Sequence, residues 1–334
     1  MFALLAIASC KDDFTVDDIQ ESPKLVVYCM PSLGDTTKIQ VSSSVSVTLK
    51  SLSKAIPQYV NNATIVYSVN GQQVPAVSLG NGIYQVVAPQ KTGDNIRLEV
   101  SAEGFTTVSA STVIPDTVPI QKVRVSRISL YDSDYSGTRP YDQVKVTFAD
   151  DGATADYYAV AVWRKVQSGY YRVWNDDGHT SGAADLDSVT YADFLHKFDH
   201  YERVVTDERM EAVTELNLKS EPALHPLTDT DEDFGFDEDF YNNFYLFDDR
   251  SFNGTTYTLH LNADVYSYSG QEAIYQVVLY RLTPEYYHFI QAINTHNNSW
   301  FAQTGFSDIK PSAGNIAGGI GFLGGYSRAS RWQE

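Results

Sequence analysis

The sequence predicts a mainly β protein: a β-sandwich over residues 24–117, then a larger β-rich unit over residues 118–334 with one or few helices and an irregular insertion at about 175–240. Three observations carry this expectation. Residues 24–117 alternate apolar and polar positions in short runs divided by turn residues, the pattern of a half-buried antiparallel sheet. The run Pro115-Asp116-Thr117-Val118-Pro119 interrupts that alternation, and proline cannot donate to a strand ladder. Beyond it, strand-like runs return on both sides of a polar, weakly periodic stretch. A chain of 334 residues also exceeds the usual span of one domain.

Taken in order, the first unit opens with Leu25–Tyr28 and continues through Lys38–Ser42, Val45–Leu49, Thr64–Val69, Ile83–Val87, Ile96–Val100 and Val108–Ile114. Short strands in this density suit a sandwich, where each sheet buries one face on the other. Asn70-Gly71 is the strongest hairpin signal, because a type I′ turn needs positive φ at both central residues. Gly80, Asn81 and Gly82 mark a second turn. Cys29, between Tyr28 and Met30, reads as a small buried hydrophobe.

The second unit opens with Val123–Ile128, Val144–Phe148 and Tyr157–Arg164. Residues 175–240 are rich in Asp, Glu, Gly and His, and strand signals resume at Phe244–Phe247, Tyr257–Leu261 and Ile274–Leu282. One helix is well marked. Thr283 can cap it, Pro284 occupies the first position where no N–H is needed, and Glu285 complements the dipole. Tyr286, Phe289, Ile290 and Ile293 form its apolar stripe, and Asn294–Asn298 ends it.

Composition narrows the function classes. Apolar residues make up 43% and charged residues 20%, which is globular, and no stretch after the N-terminus reaches the about 18 apolar residues that a spanning helix needs. A net charge of −18 repels phosphate backbones, so nucleic acid is not an expected partner. Cys10 and Cys29 are too few for a disulfide framework.

Residues 1–8 are nearly all apolar and run into Ser9 and Cys10, the order of a secretory signal meeting its cleavage site. Ile7-Ala8-Ser9-Cys10 resembles a bacterial lipobox, which implies cleavage before Cys10 and acylation of its thiol by diacylglyceryl and palmitate-like chains. Several chains anchor firmly where one is marginal, at about 0.8 kcal/mol per buried CH₂. Lys11, Asp12 and Asp13 resemble the signal by which Bacteroidota export lipoproteins to the outer leaflet of the outer membrane. Residues 11–23 then read as a polar tether ending at Pro23.

Several segments stand out in order along the chain. They are Leu25-Val26-Val27, Gly82-Ile83-Tyr84, Phe247-Asp248-Asp249 with Phe252-Asn253-Gly254, and Leu279 through Tyr287. Phe301-Ala302-Gln303, Asn315 through Phe322 and Gly324-Gly325-Tyr326 close the series. In this order they resemble the Bacteroidota outer-membrane lipoproteins gathered as domain of unknown function 4249, and the resemblance implies an N-terminal immunoglobulin-like sandwich, display on the cell surface, and a role beside TonB-dependent transporters in nutrient capture. It supplies no catalytic residues.

Other constellations have plainer readings. Gly319, Gly321 and Gly324 satisfy GxGxxG, but no βαβ context follows, so close backbone packing is the better account. His196 and His200 are four apart, a zinc-ligand spacing if helical, though no third ligand stands at a motif position. Asp229, Asp231 and Asp233 begin like a calcium loop, yet Phe234 and Phe240 occupy the positions where an EF-hand needs Gly and Glu. A looser calcium site is weighed there against a solvated acidic loop. Tyr170, Tyr171 and Trp174 suit a surface that stacks on sugars or peptides, although strand propensity alone also selects tyrosine. Asp35-Thr36-Thr37, Asp116-Thr117-Val118 and Asp187-Ser188-Val189 resemble Bacteroidota O-glycan acceptor sites.

The expectation is a non-enzymatic surface lipoprotein that docks on a TonB-dependent transporter or captures an oligosaccharide or peptide for it. A glycan- or peptide-active enzyme, using paired carboxylates, and an adhesin are the competing classes.

Overall fold

The computed structural model describes residues 22–44, 58–132, 136–178, 181–185, 195–225, 244–265, 271–297 and 314–334. Cys10, Lys11, Asp12, Asp13, most of the tether, the expected strand Val45–Leu49, the Asp187-Ser188-Val189 motif and the acidic run with Asp229, Asp231 and Asp233 lie outside these residues.

The protein is mainly β, with several antiparallel sheets. Its first unit contains β1 (Leu25–Cys29), β2 (Gly34–Ser43), β3 (Gln58–Tyr59), β4 (Thr64–Val69), β5 (Gln72–Val74), β6 (Ala76–Gly80), β7 (Ile83–Gln90), β8 (Asn95–Ser101) and β9 (Val108–Val113). One sheet runs β1-β2-β7-β6 with β3 beside β2, and the other runs β5-β4-β8-β9. Period-two alternation sends Leu25, Val27, Cys29, Ile39 and Val41 inward from the first sheet, and Tyr67, Ile96, Leu98 and Val100 inward from the second. One core results. Its polar groups are paired across the sheets, because a lone buried hydroxyl or amide would cost about 1–3 kcal/mol. Tyr67 Oη donates to Gln90 Oε1 at 2.8 Å, and Gln90 Nε2 donates to Thr37 Oγ1 at 2.7 Å. The expected I′ turn is present, with φ of 52° at Asn70 and 81° at Gly71.

The second unit contains β10 (Ile120–Asp132), β11 (Gly137–Ala149), β12 (Tyr157–Trp174), β13 (Ser181–Asp185), β14 (His200–Ala212), β15 (Leu216–Asn217), β16 (Tyr245–Asp248), β17 (Thr256–Asp264) and β18 (Gln271–Leu282). Then come helix α1 (Pro284–Asn297), β19 (Ile320–Leu323) and β20 (Tyr326–Trp332). The sheets are β10-β11-β17-β15 and β13-β12-β18-β20, with β14 and β16 also paired to β12. Alternate residues of β12 serve two cores. Tyr158, Val160 and Val162 face the first sheet, while Ala159 and Ala161 face α1 together with Tyr286, Tyr287 and Ile290.

Sequence expectations change at β14 and at the helix cap. Residues 200–212, read as irregular insertion, form the 13-residue strand β14, paired to β12 from Trp163↔Ala212 to Trp174↔His200. Its sequence shows no alternation because most of the strand is exposed, so no face needed to be apolar. Thr283 does precede α1, and its carbonyl accepts from Tyr287 N at 3.0 Å, but its hydroxyl has no hydrogen-bond partner. The entry into α1 is fixed instead by Thr283 N bonding Gly325 O at 3.0 Å.

The chain end joins the two units. β19 lies parallel to β1, with Val26↔Ile320 through Cys29↔Leu323 in register, and β20 pairs with β18 in the second unit. Residues 320–323, placed by sequence in the second unit, therefore complete a sheet of the first. The glycines allow it. A Cβ on Gly321, at φ +102°, would sit 2.1 Å from Val27 O, and one on Gly325 would sit 2.2 Å from Val113 O. The side chain of Asn315 pairs with both backbone groups of Leu323 at 2.9 Å, acting as a short surrogate strand.

Candidate functional site

β12 outruns its partner. Its pairing with β18 is described as far as Ser168↔Gln271, and residues 169–174 continue with, among the described residues, only β13 and β14 beside them. These three strands form an arm whose aromatic groups are those singled out from sequence. Tyr170 and Trp174 stand on one face and Tyr171 on the other, as alternation demands, so the structure splits the expected cluster of three. Each face acquires a partner from β14 instead. Trp174 stacks on His200 with ring centroids 5.6 Å apart, and Tyr171 meets Tyr201 edge-on at 6.1 Å. Tyr201 is 59% exposed, and Trp174 is partly exposed.

The tip of the arm is polar. His200 Nε2 lies 2.7 Å from Asp176 Oδ1, Asp199 N donates to Asn175 Oδ1 at 2.8 Å, and Asp176 N donates to Asp199 Oδ2 at 3.0 Å. Rings flanked by carboxylates and an amide can stack on the apolar face of a ligand while bonding its hydroxyl or amide groups. His196 lies in a turn and His200 begins β14, so the two do not share a helical face and the zinc spacing has no geometric basis. Sequence reasoning does not find Tyr201 and His200 as aromatic partners, because β14 itself is not legible.

A second constellation has no sequence signature. Asp150, Asp156 and Asp249 each bring a carboxylate oxygen within 4.8 Å of the others. Asp156 and Asp249 are buried and Asp150 is half-buried. Three elements supply them: the end of β11, the lead into β12 and the turn after β16. Tyr158 Oη donates to Asp150 Oδ1 at 2.5 Å, and Gly254 N donates to Asp150 Oδ2 at 2.7 Å. Arg281 Nη2 meets Asp156 Oδ1 at 2.5 Å, and Asp156 N donates to Asp249 Oδ2 at 2.9 Å. Every carboxylate is thus engaged by a protein donor, and a hard cation entering here would have to displace the guanidinium and the phenol. The arrangement is an ionic latch. Beneath it Phe148, Tyr158, Phe247, Phe252 and Tyr257 pack ring on ring, with Phe252 stacked on Tyr257 at 4.2 Å.

Burial raises the pKa of Asp249 above its ordinary 3.8, and the neighbouring carboxylates add to that rise while the Asp156 N–H opposes it. The native carboxyl therefore holds its proton to higher pH than the unfolded one. Its contribution to stability is fully present below 3.8 and is lost as pH rises through the raised native value. Urea melts of the wild type and Asp249→Asn check this: the wild type should lose stability relative to the variant as pH rises from 3.8. A difference independent of pH sinks the idea.

Cys29 is fully buried in β1, and desolvation pushes its thiol well up, so it is packing and no nucleophile.

A family model described as "Domain of unknown function (DUF4249)" matches residues 11–331. The chain belongs to the DUF4249 family. No curated protein and no solved structure matches it. Two groups of the segments read from sequence as DUF4249-like fall on structural joints, and Phe301-Ala302-Gln303 lies outside the described residues. Phe247-Asp248-Asp249 and Phe252-Asn253-Gly254 build the latch, where Gly254 and Gly152 approach so closely that a Cβ on Gly152 would lie 2.9 Å from Gly254 Cα. Asn315 through Tyr326, which includes Gly318, Gly319, Gly321, Gly324 and Gly325, joins the units. GxGxxG here is close packing: a Cβ on Gly319 would meet Leu25 O at 2.7 Å, and one on Gly324 would meet Tyr286 Cβ at 2.7 Å.

Proposed function

We propose that the protein is a lipid-anchored component of the outer face of a Bacteroidota outer membrane that works by binding, without bond chemistry, beside a TonB-dependent transporter. Cys10 carries the lipid, Lys11, Asp12 and Asp13 direct export, and the first unit is an immunoglobulin-like sandwich whose last strand is lent by the chain end. The observation that carries the binding reading is the arm of β12, β13 and β14, which extends beyond the β12–β18 ladder and exposes Tyr201 and Trp174. Rigid rings on paired strands make economical contacts with a transporter surface, an oligosaccharide or a peptide.

The test is mild-detergent purification of the lipidated protein from its native outer membrane, in wild type and in a Tyr201→Ala, Trp174→Ala double variant that strips one exposed ring from each face of the arm. A transporter barrel should co-purify stoichiometrically with the wild type and fall at least about tenfold with the variant, as loss of a hot spot of about 1.4 kcal/mol or more requires. Thermal stability should move little, because both rings are partly or largely exposed. A wild-type protein that emerges alone overturns the docking reading.

A further inference from the structure

Residues 55–90 contain no Asp, Glu, Lys, Arg or His, in a chain that is 20% charged and would place about seven charged residues in a run of that length. This run builds β3 to β7. Within it lie the three most exposed large aliphatic side chains of the described residues, Val77 at 62%, Leu79 at 55% and Val87 at 65%. β6 ends its sheet, so its outer N–H and C=O groups meet no other strand among the described residues. Val77 is opposite Gln85, which makes Val77 and Val87 diagonal neighbours on the outward face, while Tyr84 and Val86 point into the core. Edge strands are commonly protected by lysine, proline or an inward charge. β6 has none of these: Pro75 precedes it, and the only irregularity is a register shift between Ser78 and Gly80 at its end.

We propose that this edge pairs with the same edge of a second copy, antiparallel about Ser78, to make a two-fold dimer. The charge pattern selects that occupant. Two chains of −18 repel one another over most approaches, and this corner lets them meet with no charge on either side. The strand is also self-complementary. Antiparallel pairing centred on Ser78 sets Val77 of each copy opposite Leu79 of the other, and a two-fold contact closes without forming a filament. A five-residue edge is small beside the about 1,200–2,000 Å² of a stable interface, so the dimer is weak and concentration-dependent.

Sedimentation velocity on the full chain across a hundredfold range of concentration should show a monomer–dimer equilibrium that Val77→Lys weakens at least tenfold, with the melting temperature unchanged. In a Cys10→Ser background, where the remaining Cys29 is buried, Ser78→Cys should form a disulfide to its own copy under mild oxidation. Val113→Cys, exposed on another strand, should not. A chain that stays monomeric throughout, a dimer indifferent to Val77→Lys, or equal cross-linking of the Ser78→Cys and Val113→Cys variants overturns the proposal. So does capture of a different protein by an otherwise monomeric chain.

Discussion

Gly321→Ala should cost more than about 4 kcal/mol, the range reserved for changes that break a defined structural joint. Two penalties combine. At φ +102° an alanine is strained in any surroundings, and its Cβ would lie 2.1 Å from Val27 O and 2.8 Å from Val27 C. Those neighbours are backbone in the middle of β1, so relief requires the β1–β19 ladder to separate. Gly93→Ala is the control, because Gly93 also has positive φ, +79°, but its Cβ would meet nothing within 4 Å. That variant should lose only about 1–2 kcal/mol, the cost of left-handed backbone alone. Urea melts of both variants decide the matter. If Gly321→Ala loses no more than Gly93→Ala, the parallel pairing of the chain end with β1 is not the joint it is taken to be.

Asp156→Ala should cost about 3–5 kcal/mol, since it leaves a largely buried guanidinium without its carboxylate. Arg281→Met should be comparably damaging, as it leaves three carboxylates together with only neutral donors, the hydroxyls of Tyr158 and Thr154 and backbone N–H groups, to hold them. The informative variant carries both changes. A double substitution that removes the pair should lose clearly less than the sum of the singles, because neither partner is then stranded. Simple additivity in equilibrium unfolding would mean that Arg281 and Asp156 act separately, and the latch would reduce to two surface contacts.

Legibility follows the physics of burial. The core strands are readable because one face is apolar: the sequence delimits Thr64–Val69 to the residue, and Leu25–Tyr28 falls one residue short. The helix start is marked by Pro284, although the hydroxyl of Thr283 does not make the bond that its type suggests. β14 is invisible because both its faces meet solvent, and β6 because its apolar residues are exposed. Tyr170, Tyr171 and Trp174 are legible as a group by proximity along the chain, but the two faces of a strand separate neighbours, and only pairing with Tyr201 and His200 shows which rings meet. The latch is illegible for a different reason. Asp150 and Asp156 are near one another in sequence, but Asp249 and Arg281 reach them only through sheet register, which no local pattern encodes.

The parallel pairing of Val26 with Ile320 also sets an order of events. Nearly the whole chain must be brought into place before this contact can close, and loop-closure entropy makes such contacts late and slow. The first unit is therefore finished late: its core can collapse early, but the edge beside β1 stays open until residues 320–323 pair with it. Until then that edge is a liability for misassembly between neighbouring folding chains. A refolding time course should accordingly show the β1 amides that face β2 protected early, and those that face β19 protected only together with β19, well after the interior of the second unit.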